Sequence, residues 1–368
     1  MIGRRFGWAL VALWGTLAGG CAQLAYYGQS IGGELQVLSK RQPISTLVAD
    51  PDTPAALRAR LHKAQRIREF AVSRLHLPRN GSYTTYADIG RPYVVWNVFA
   101  APRFALKLKT WCFPIAGCVG YRGYFHHDAA LAEAARLRKQ GLDVYVAGIP
   151  AYSTLGWFSD PLLSTVVDWP DFELAGLIFH ELAHARVYVP GATTFNESFA
   201  VTVQRVGVHR WLAAQGSPAE RAAYQAYRAR RHQFLALVLA TQAQLEHLYE
   251  NGTSQAEMSA GKRRIIADLR RRYQALKAEW GGYDGYDRWF AGPLNNAQLG
   301  SVSTYEDDVP AFRALLAREH GDLPAFYAAV AKLGKLPAGE RERRLAALAA
   351  AGGQDRPASR PARRRARE

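Results

Sequence analysis

Two histidines and a glutamate occur within five residues, in the order His180-Glu181-Leu182-Ala183-His184. On a helix, residues four apart lie on the same face, so His180 and His184 can ligate one Zn²⁺. Glu181 stands beside the first ligand, where its carboxylate can take a proton from a zinc-activated water and deliver it to a leaving amine. The spacing therefore predicts a zinc-dependent hydrolase.

Core histidines that serve only packing are the alternative interpretation of this motif. The surrounding run, Leu177 to Ala185, is otherwise apolar, and a buried imidazole or carboxylate is costly without a partner. A zinc ion supplies that partner. The sequence therefore favours a metal site.

A catalytic zinc site needs a third protein ligand and leaves its fourth position for water. The candidate is Glu197, in the run from Phe195 to Ala200. The break at Pro190-Gly191 would fold a second helix back beside the first and bring Glu197 to the histidines. A second interpretation remains open, because Thr194 and Glu197 also have the spacing of a helix capping box.

The hydrophobic periodicity indicates the elements that position these residues. Asp171 can cap a helix from about Phe172 to Val187, and a second helix starts near Asn196 and ends near Gln215. The other predicted elements are helices at Thr53–Leu75, His127–Gln140, Pro218–Glu250 and Gln255–Trp280, and strand-like runs at Pro92–Phe99, Phe104–Trp111, Cys118–Phe125 and Val144–Gly148. Strands come first and helices after them, which predicts an α+β fold.

The N-terminus reads as an export signal. Arg4 and Arg5 precede an apolar run too short to span a bilayer, which ends in small residues before Cys21. This arrangement resembles a bacterial lipoprotein signal, in which Cys21 becomes the lipidated N-terminus, and Ala22 after it implies the outer membrane. An ordinary secretory signal is the alternative. In an exported chain, the close pair Cys112 and Cys118 predicts a local disulfide.

Composition limits the remaining functions. The 368 residues carry 47 Lys and Arg against 31 Asp and Glu, a formal net charge of +16, and 49% are hydrophobic. That hydrophobic content excludes a disordered chain. We interpret the positive charge as belonging to solvated helix faces and an arginine-rich tail. Attraction to anionic lipids is the alternative. Nucleic-acid binding fits less well, because no nucleic-acid module accompanies the charge.

Several motifs together resemble the bacterial predicted aminopeptidase family, which is gluzincin-like. The motifs that carry the resemblance are Tyr26-Tyr27-Gly28-Gln29, Tyr152 to Gly156, His180 to His184, Asn196-Glu197 and Asn295-Asn296-Ala297. The resemblance implies a zincin-like catalytic core, a peptide substrate, one Zn²⁺ held by His180, His184 and Glu197, and Glu181 as general base. Where some gluzincins place an aspartate that orients a histidine, this chain has Val201, so the partner of the histidines stays unidentified.

Further expectations concern the substrate. Ser153 and Thr154 could pair with an extended peptide, or form an ordinary strand end. Asn295 and Asn296 could bond its backbone, or form a turn. Tyr305 is the first choice for an oxyanion donor, with Tyr283 and Tyr286 as rivals.

The expected organisation is a signal peptide at 1–20, a tether at 21–52, a catalytic core at 53–216, a helical part at 217–350 that completes the site and a disordered basic tail at 351–368. The expected function is aminopeptidase hydrolysis of exported peptides by a protein anchored through Cys21 and facing the periplasm. The alternative is a non-catalytic zinc-containing envelope protein that binds anionic membrane or cell-wall surfaces. Closed structural zinc sites usually have four protein ligands, which speaks against it.

Overall fold

The computed structural model describes residues 26–113, 117–152, 159–302 and 307–354, and within them the fold is α+β and largely helical. The strands are short and lie in the first half of the chain: β1 (Arg41–Pro43), β2 (Thr85–Ala87), β3 (Val95–Ala101), β4 (Trp111–Phe113), β5 (Gly117–Val119), β6 (Arg122–Tyr124), β7 (Asp143–Ile149) and β8 (Leu162–Leu163). The helices occur throughout: α1 (residues 26–39), α2 (Ile44–Ala49), α3 (Ala55–Leu75), α4 (His127–Lys139), α5 (Asp171–His184), α6 (Thr193–Gln215), α7 (Pro218–Asn251), α8 (Gln255–Glu279), α9 (Asp287–Phe290), α10 (Asn296–Ser301), α11 (Val309–Arg318), α12 (Leu323–Gly334) and α13 (Ala338–Gln354).

The strands form small, separate sheets. One has the order β1-β2-β8, with β1 antiparallel and β8 parallel to β2. A second has the order β6-β3-β7 and is antiparallel throughout, with Trp96 opposite both Tyr124 and Gly148. Strands β4 and β5 form a hairpin in which Cys112 lies directly opposite Cys118, and the two are disulfide-bonded.

One sequence expectation for the sheets is wrong. The run Phe104–Trp111 alternates like a strand, but only Trp111 belongs to one, and residues 105–110 have no regular structure. The backbone N–H of Lys109 donates to the carbonyl of Ala100 at 2.8 Å, outside any ladder. A short apolar run does not specify a strand without a partner edge to pair with.

Three hydrophobic clusters hold the described residues together. The largest joins α3, α5, α6, α11 and α12, so the helix that bears the histidines lies inside it. A second cluster packs α7 and α8 against residues 286–302. The third covers the β6-β3-β7 sheet with α4. The first cluster takes residues from both sides of position 217, so α11 and α12 help to fix the motif helices.

The segment expected to be a tether is folded from residue 26 onward. Gln29 accepts a hydrogen bond from the backbone N–H of Phe125 at 3.1 Å and donates to the carbonyl of Gly123 at 3.4 Å. The Arg122 guanidinium lies 4.0 Å from the centre of the Tyr26 ring. The tyrosine and glutamine of the Tyr-Tyr-x-Gln motif therefore dock α1 onto β6. No helix among the described residues is both long and apolar enough to cross a bilayer.

Asp171 sets the start of α5, but not as the predicted cap. The N-cap residue is Pro170, which makes no side-chain capping bond, and Asp171 is the first helical residue. Its carboxylate accepts from Arg60 Nη1 at 2.6 Å and pairs with Lys63, both on α3. Arg60 also donates to the carbonyl of Trp169 at 2.5 Å. These contacts tie the start of the histidine-bearing helix to α3.

Replacing Asp171 by Asn is expected to reduce the free energy of unfolding by about 2 kcal/mol, because two charged hydrogen bonds lose their acceptor charge. Burial raises the pKa of Asp171, but Lys63 and Arg60 outweigh it and leave that pKa lowered. A lowered folded-state pKa contributes stability above the unfolded value, and that stability is lost as pH falls through the folded pKa. Denaturant unfolding at pH 7 and below pH 4 measures this. An equal deficit of the variant at both pH values would contradict the assignment.

Candidate metal centre

The structure brings His180, His184 and Glu197 together. The two Nε2 atoms are 3.2 Å apart, and the Glu197 carboxylate oxygens lie 3.3 Å from His180 Nε2 and 3.5 Å from His184 Nε2. All three side chains offer a ligand atom within one small cluster. Tetrahedral ligands about 2.0–2.1 Å from a zinc ion are themselves about 3.3 Å apart. The three separations therefore match the donor set of a zinc site.

The turn between the two helices is held by Asn196. Its side chain accepts from the backbone N–H of Val189 and donates to the carbonyl of Val189, both at 2.8 Å. Gly191 has φ = +75°, a left-handed conformation that glycine adopts without strain. This pinned turn makes the short connection feasible and aims Glu197 back at α5. The asparagine of the Asn-Glu motif thus has a structural role that the sequence did not reveal.

Close packing of α5 on α6 depends on Gly207. A Cβ atom there would lie 2.6 Å from the Phe179 ring and 2.7 Å from Leu75, so a larger residue would push the helices apart. At the start of α6, the Ser198 hydroxyl accepts from the backbone N–H of Asp308 at 3.1 Å. Glu197 is therefore positioned by its two neighbours in sequence, whose side chains both bond to the backbone of other segments.

The capping interpretation of Glu197 does not hold in the structure. Helix α6 begins at Thr193 with Ala192 as its N-cap residue and no side-chain capping bond. Glu197 consequently lies one turn inside the helix, where its carboxylate faces the histidines. Of the two interpretations left open by the sequence, the geometry supports the ligand.

Gln204 orients one of the histidines. His180 Nδ1 lies 3.2 Å from Gln204 Oε1, an acceptor, so Gln204 favours a proton on this nitrogen, which leaves Nε2 to offer a lone pair to a metal. Gln204 follows Glu197 by seven residues on the same face of α6, one turn beyond the position of Val201. Room for its amide comes from Gly176, where a Cβ atom would lie 3.0 Å from Gln204 Nε2. Sequence reasoning missed this residue, and the spacing of seven from Glu197 was the available signal.

Gln204→Leu is expected to weaken zinc binding by about 10- to 100-fold, because His180 loses the bond that fixes its tautomer and ring orientation. Competition with a chelating zinc indicator measures the affinity. Val206→Leu, on a different face of α6, is the control and should bind zinc as the unaltered protein does. Equal affinities of Gln204→Leu and this control would remove Gln204 from the site.

The protonation states of the three groups are coupled. Burial lowers the pKa of His180, but hydrogen bonding to Glu197 and the charges of Glu181 and Glu197 outweigh it and raise that pKa. Burial and the charge of His180 lower the pKa of His184 to about 4. Burial raises the pKa of Glu197, but contact with His180 outweighs it and lowers that pKa. Glu197 is thus an anion and His184 neutral at pH 7, as metal ligation requires.

The donor set fits a metal better than it fits protons alone. His184 is 3% exposed, and its Nδ1 has no hydrogen-bond partner among the described residues. With a proton on Nδ1, His184 directs the lone pair of Nε2 at the same point as His180 and Glu197. One proton cannot satisfy three converging lone pairs, whereas a divalent cation can.

Glu181 and a cavity adjoin the ligands. The cavity has a volume of about 390 Å³, and its lining includes His180, Glu181 and Glu197. Glu181 is half-buried, and burial, together with the charge of Glu181, raises the pKa of Tyr83. A carboxylate at this position can exchange a proton with a molecule in the cavity.

Several predicted residues cannot be placed, and two are placed elsewhere. Cys21, Ser153, Thr154 and Tyr305 lie outside the described residues. Asn296 is fully buried: its side chain accepts from Tyr249 and donates to the carbonyls of residues 102 and 103, and its backbone N–H donates to Asp143.

Asn295 is likewise engaged. Its side chain caps α10 by accepting from Gln298 N at 3.0 Å and donates to the carbonyl of Val144 at 3.0 Å. Neither asparagine lines the cavity. The rival tyrosines also pack, since Tyr286 stacks on Phe234 at 4.3 Å and Tyr283 lies under Arg230 at 4.1 Å. The two asparagines therefore connect α10 to α7 and the sheet, instead of facing a substrate as expected.

Comparison with known proteins assigns the family. The model of a family described as "Putative aminopeptidase" matches residues 25–345, which include α1, both motif helices and α10. No curated protein and no solved structure matches the chain. The family match confirms the resemblance drawn from the motifs. The chain belongs to this aminopeptidase family.

Proposed function

We propose that the protein is a zinc-dependent aminopeptidase that acts on exported peptides. The convergence of His180, His184 and Glu197, with separations of 3.2 to 3.5 Å between their ligand atoms, carries the proposal. The family supports a peptidase, and the donor set supports zinc, since two imidazoles and one carboxylate leave a position for solvent.

Each residue of the site has a role in this reaction. Zinc, when bound, supplies Lewis acidity toward water and the scissile carbonyl. Glu181 accepts the proton of the attacking water and passes it to the leaving amine. Gln204 keeps the lone pair of His180 aimed at the metal position, and Asn196 holds the turn that presents Glu197. The cavity beside these groups receives the peptide.

The proposal extends to architecture and location. The catalytic core is zincin-like, with α5 as its motif helix and α6 as the helix of the third ligand. The proposed segments are a signal peptide at 1–20, a core at 53–216, a helical part that continues past the expected boundary at residue 350 to the end of α13 at Gln354, and a basic tail after it. Cys21 is the proposed lipid attachment site, which would hold the protein at the outer membrane, facing the periplasm.

Metal analysis of the purified protein, together with digestion of a peptide mixture read by mass spectrometry, tests the proposal. The expected results are one zinc per chain and removal of single residues from the amino ends of peptides. A protein that binds one zinc but leaves every peptide intact would favour a non-catalytic envelope protein. Internal cleavage would retain the peptidase and exclude the aminopeptidase.

A further inference from the structure

The cavity beside the metal centre has a basic wall. Arg205 of α6 and Arg228 and Arg231 of α7 line it, and Glu173 is the one carboxylate of the described lining besides Glu181 and Glu197. Outside the metal-binding and proton-transfer groups, three guanidinium groups therefore stand against one carboxylate in the described lining.

The arginines have donors to offer a ligand. Arg228 is exposed, and its guanidinium lies 6.0 Å from the centre of the Tyr224 ring, which also lines the cavity. Arg205 and Arg231 engage other groups of the protein as well. A guanidinium has five N–H donors, and a carboxylate uses two of them in a bidentate pair. An arginine that is already oriented by the protein can thus still bind an anion.

Helix geometry gives the distance from the metal centre. Glu197, Val201 and Arg205 follow each other at intervals of four on α6, and all three line the cavity. Eight residues correspond to about 12 Å along the axis. An extended peptide advances about 3.3 Å per residue, so this distance is three or four residues of substrate.

We propose that this basic wall binds a carboxylate of the peptide substrate, three or four residues to the carboxyl side of the cleaved bond. The inference rests on the proposed function, because an aminopeptidase leaves most of its substrate on that side. The carboxylate has two sources: the C-terminus of a short peptide, or an acidic side chain in a longer one. Trp169, Phe172 and Tyr227 provide apolar surface for the side chains between.

Three peptides test the proposal and separate the sources: tetraalanine with a free carboxylate, its C-terminal amide, and the same amide with aspartate as the last residue. We expect kcat/KM for the free acid to exceed that for the plain amide by about tenfold, mainly through KM. A rate for the aspartyl amide near that of the free acid assigns the site to either carboxylate. A rate near that of the plain amide assigns it to the chain terminus.

Arginine variants link the preference to the wall. Arg205→Gln and Arg228→Gln should each lower the ratio of acid to amide several-fold, whereas Arg263→Gln, on the exposed face of α8, should preserve it. If Arg205→Gln does not fold, the Arg228→Gln variant, at an exposed position, still tests the proposal. A ratio near one in the unaltered protein, or a ratio unchanged in the variants, overturns the proposal.

A binding measurement separates this inference from the proposed function. Calorimetric titration of the zinc-loaded Glu181→Gln protein with the free acid and the amide needs no turnover. If the unaltered protein hydrolyses neither peptide, the proposed function fails, and this titration then decides the anion site alone. Tighter binding of the free acid supports the basic wall, and equal binding overturns it.

Discussion

Glu181→Gln should abolish peptide hydrolysis while the protein keeps its zinc. The amide side chain occupies the same volume but cannot accept a proton, and general acid–base catalysis contributes about 10²- to 10⁴-fold. Zinc content should stay at one per chain because the three ligands are untouched. Turnover of a fluorogenic amino-acid amide and metal analysis on the same preparation give both results.

Glu246→Gln is the matched control for this substitution. Glu246 is an exposed glutamate of α7, away from the cavity, so its variant should retain full activity and zinc. Activity of Glu181→Gln within a few-fold of this control would exclude Glu181 as the base. Loss of zinc along with activity would instead assign Glu181 to metal binding.

Glu197→Gln should weaken zinc binding by more than about 100-fold, since groups that merely orient ligands already contribute 10- to 100-fold. The substitution removes the one anionic ligand of the set and leaves two neutral imidazoles. Activity should fall in parallel and return partly at high zinc concentration. Zinc titration by calorimetry measures the affinity, and the zinc dependence of hydrolysis shows the recovery.

Thr194→Ala separates this effect from helix capping. If Glu197 acted in a capping box, Thr194→Ala would shorten α6 and lower stability by about 1 kcal/mol, whereas Glu197→Gln would keep the cap, because glutamine serves in the same motif. The structure shows no such cap, so Thr194→Ala should bind zinc normally and unfold at the usual denaturant concentration. A loss of stability in Thr194→Ala that Glu197→Gln does not share would support the cap.

The helices that carry the site could be predicted from the sequence because their apolar periodicity is local. Helix α5 was predicted at Phe172–Val187 and is observed at Asp171–His184. Helix α6 was predicted to start near Asn196 and starts at Thr193. The starts shift by one and three residues because contacts outside each helix decide them. Asp171 bonds to α3 instead of capping, and Asn196 pins the preceding turn from inside α6.

The residues around the site were harder to predict because their roles depend on partners remote in sequence. An Asn-Asn pair looks the same whether it binds a peptide or a half-buried carboxylate of the protein. Only the structure shows that Asn296 meets Asp143, Tyr249 and the carbonyls of residues 102 and 103. For Gln204 the spacing of seven from Glu197 was a signal, but its function also needs the space that Gly176 leaves on another helix.

The docking of α1 limits the distance between the folded protein and a lipid attached at Cys21. Only residues 22–25 separate the proposed lipid attachment site at Cys21 from Tyr26, whose ring packs on Arg122 and within 5.6 Å of Tyr124. Fully extended, five residue steps cover about 18 Å at most. Lipid attachment at Cys21 would therefore keep β6 and the sheet around it close to the headgroups. The folded protein could rotate there, but it could not move far from the membrane surface. Peptides in transit along the bilayer surface would then meet the enzyme more often than those free in the surrounding compartment.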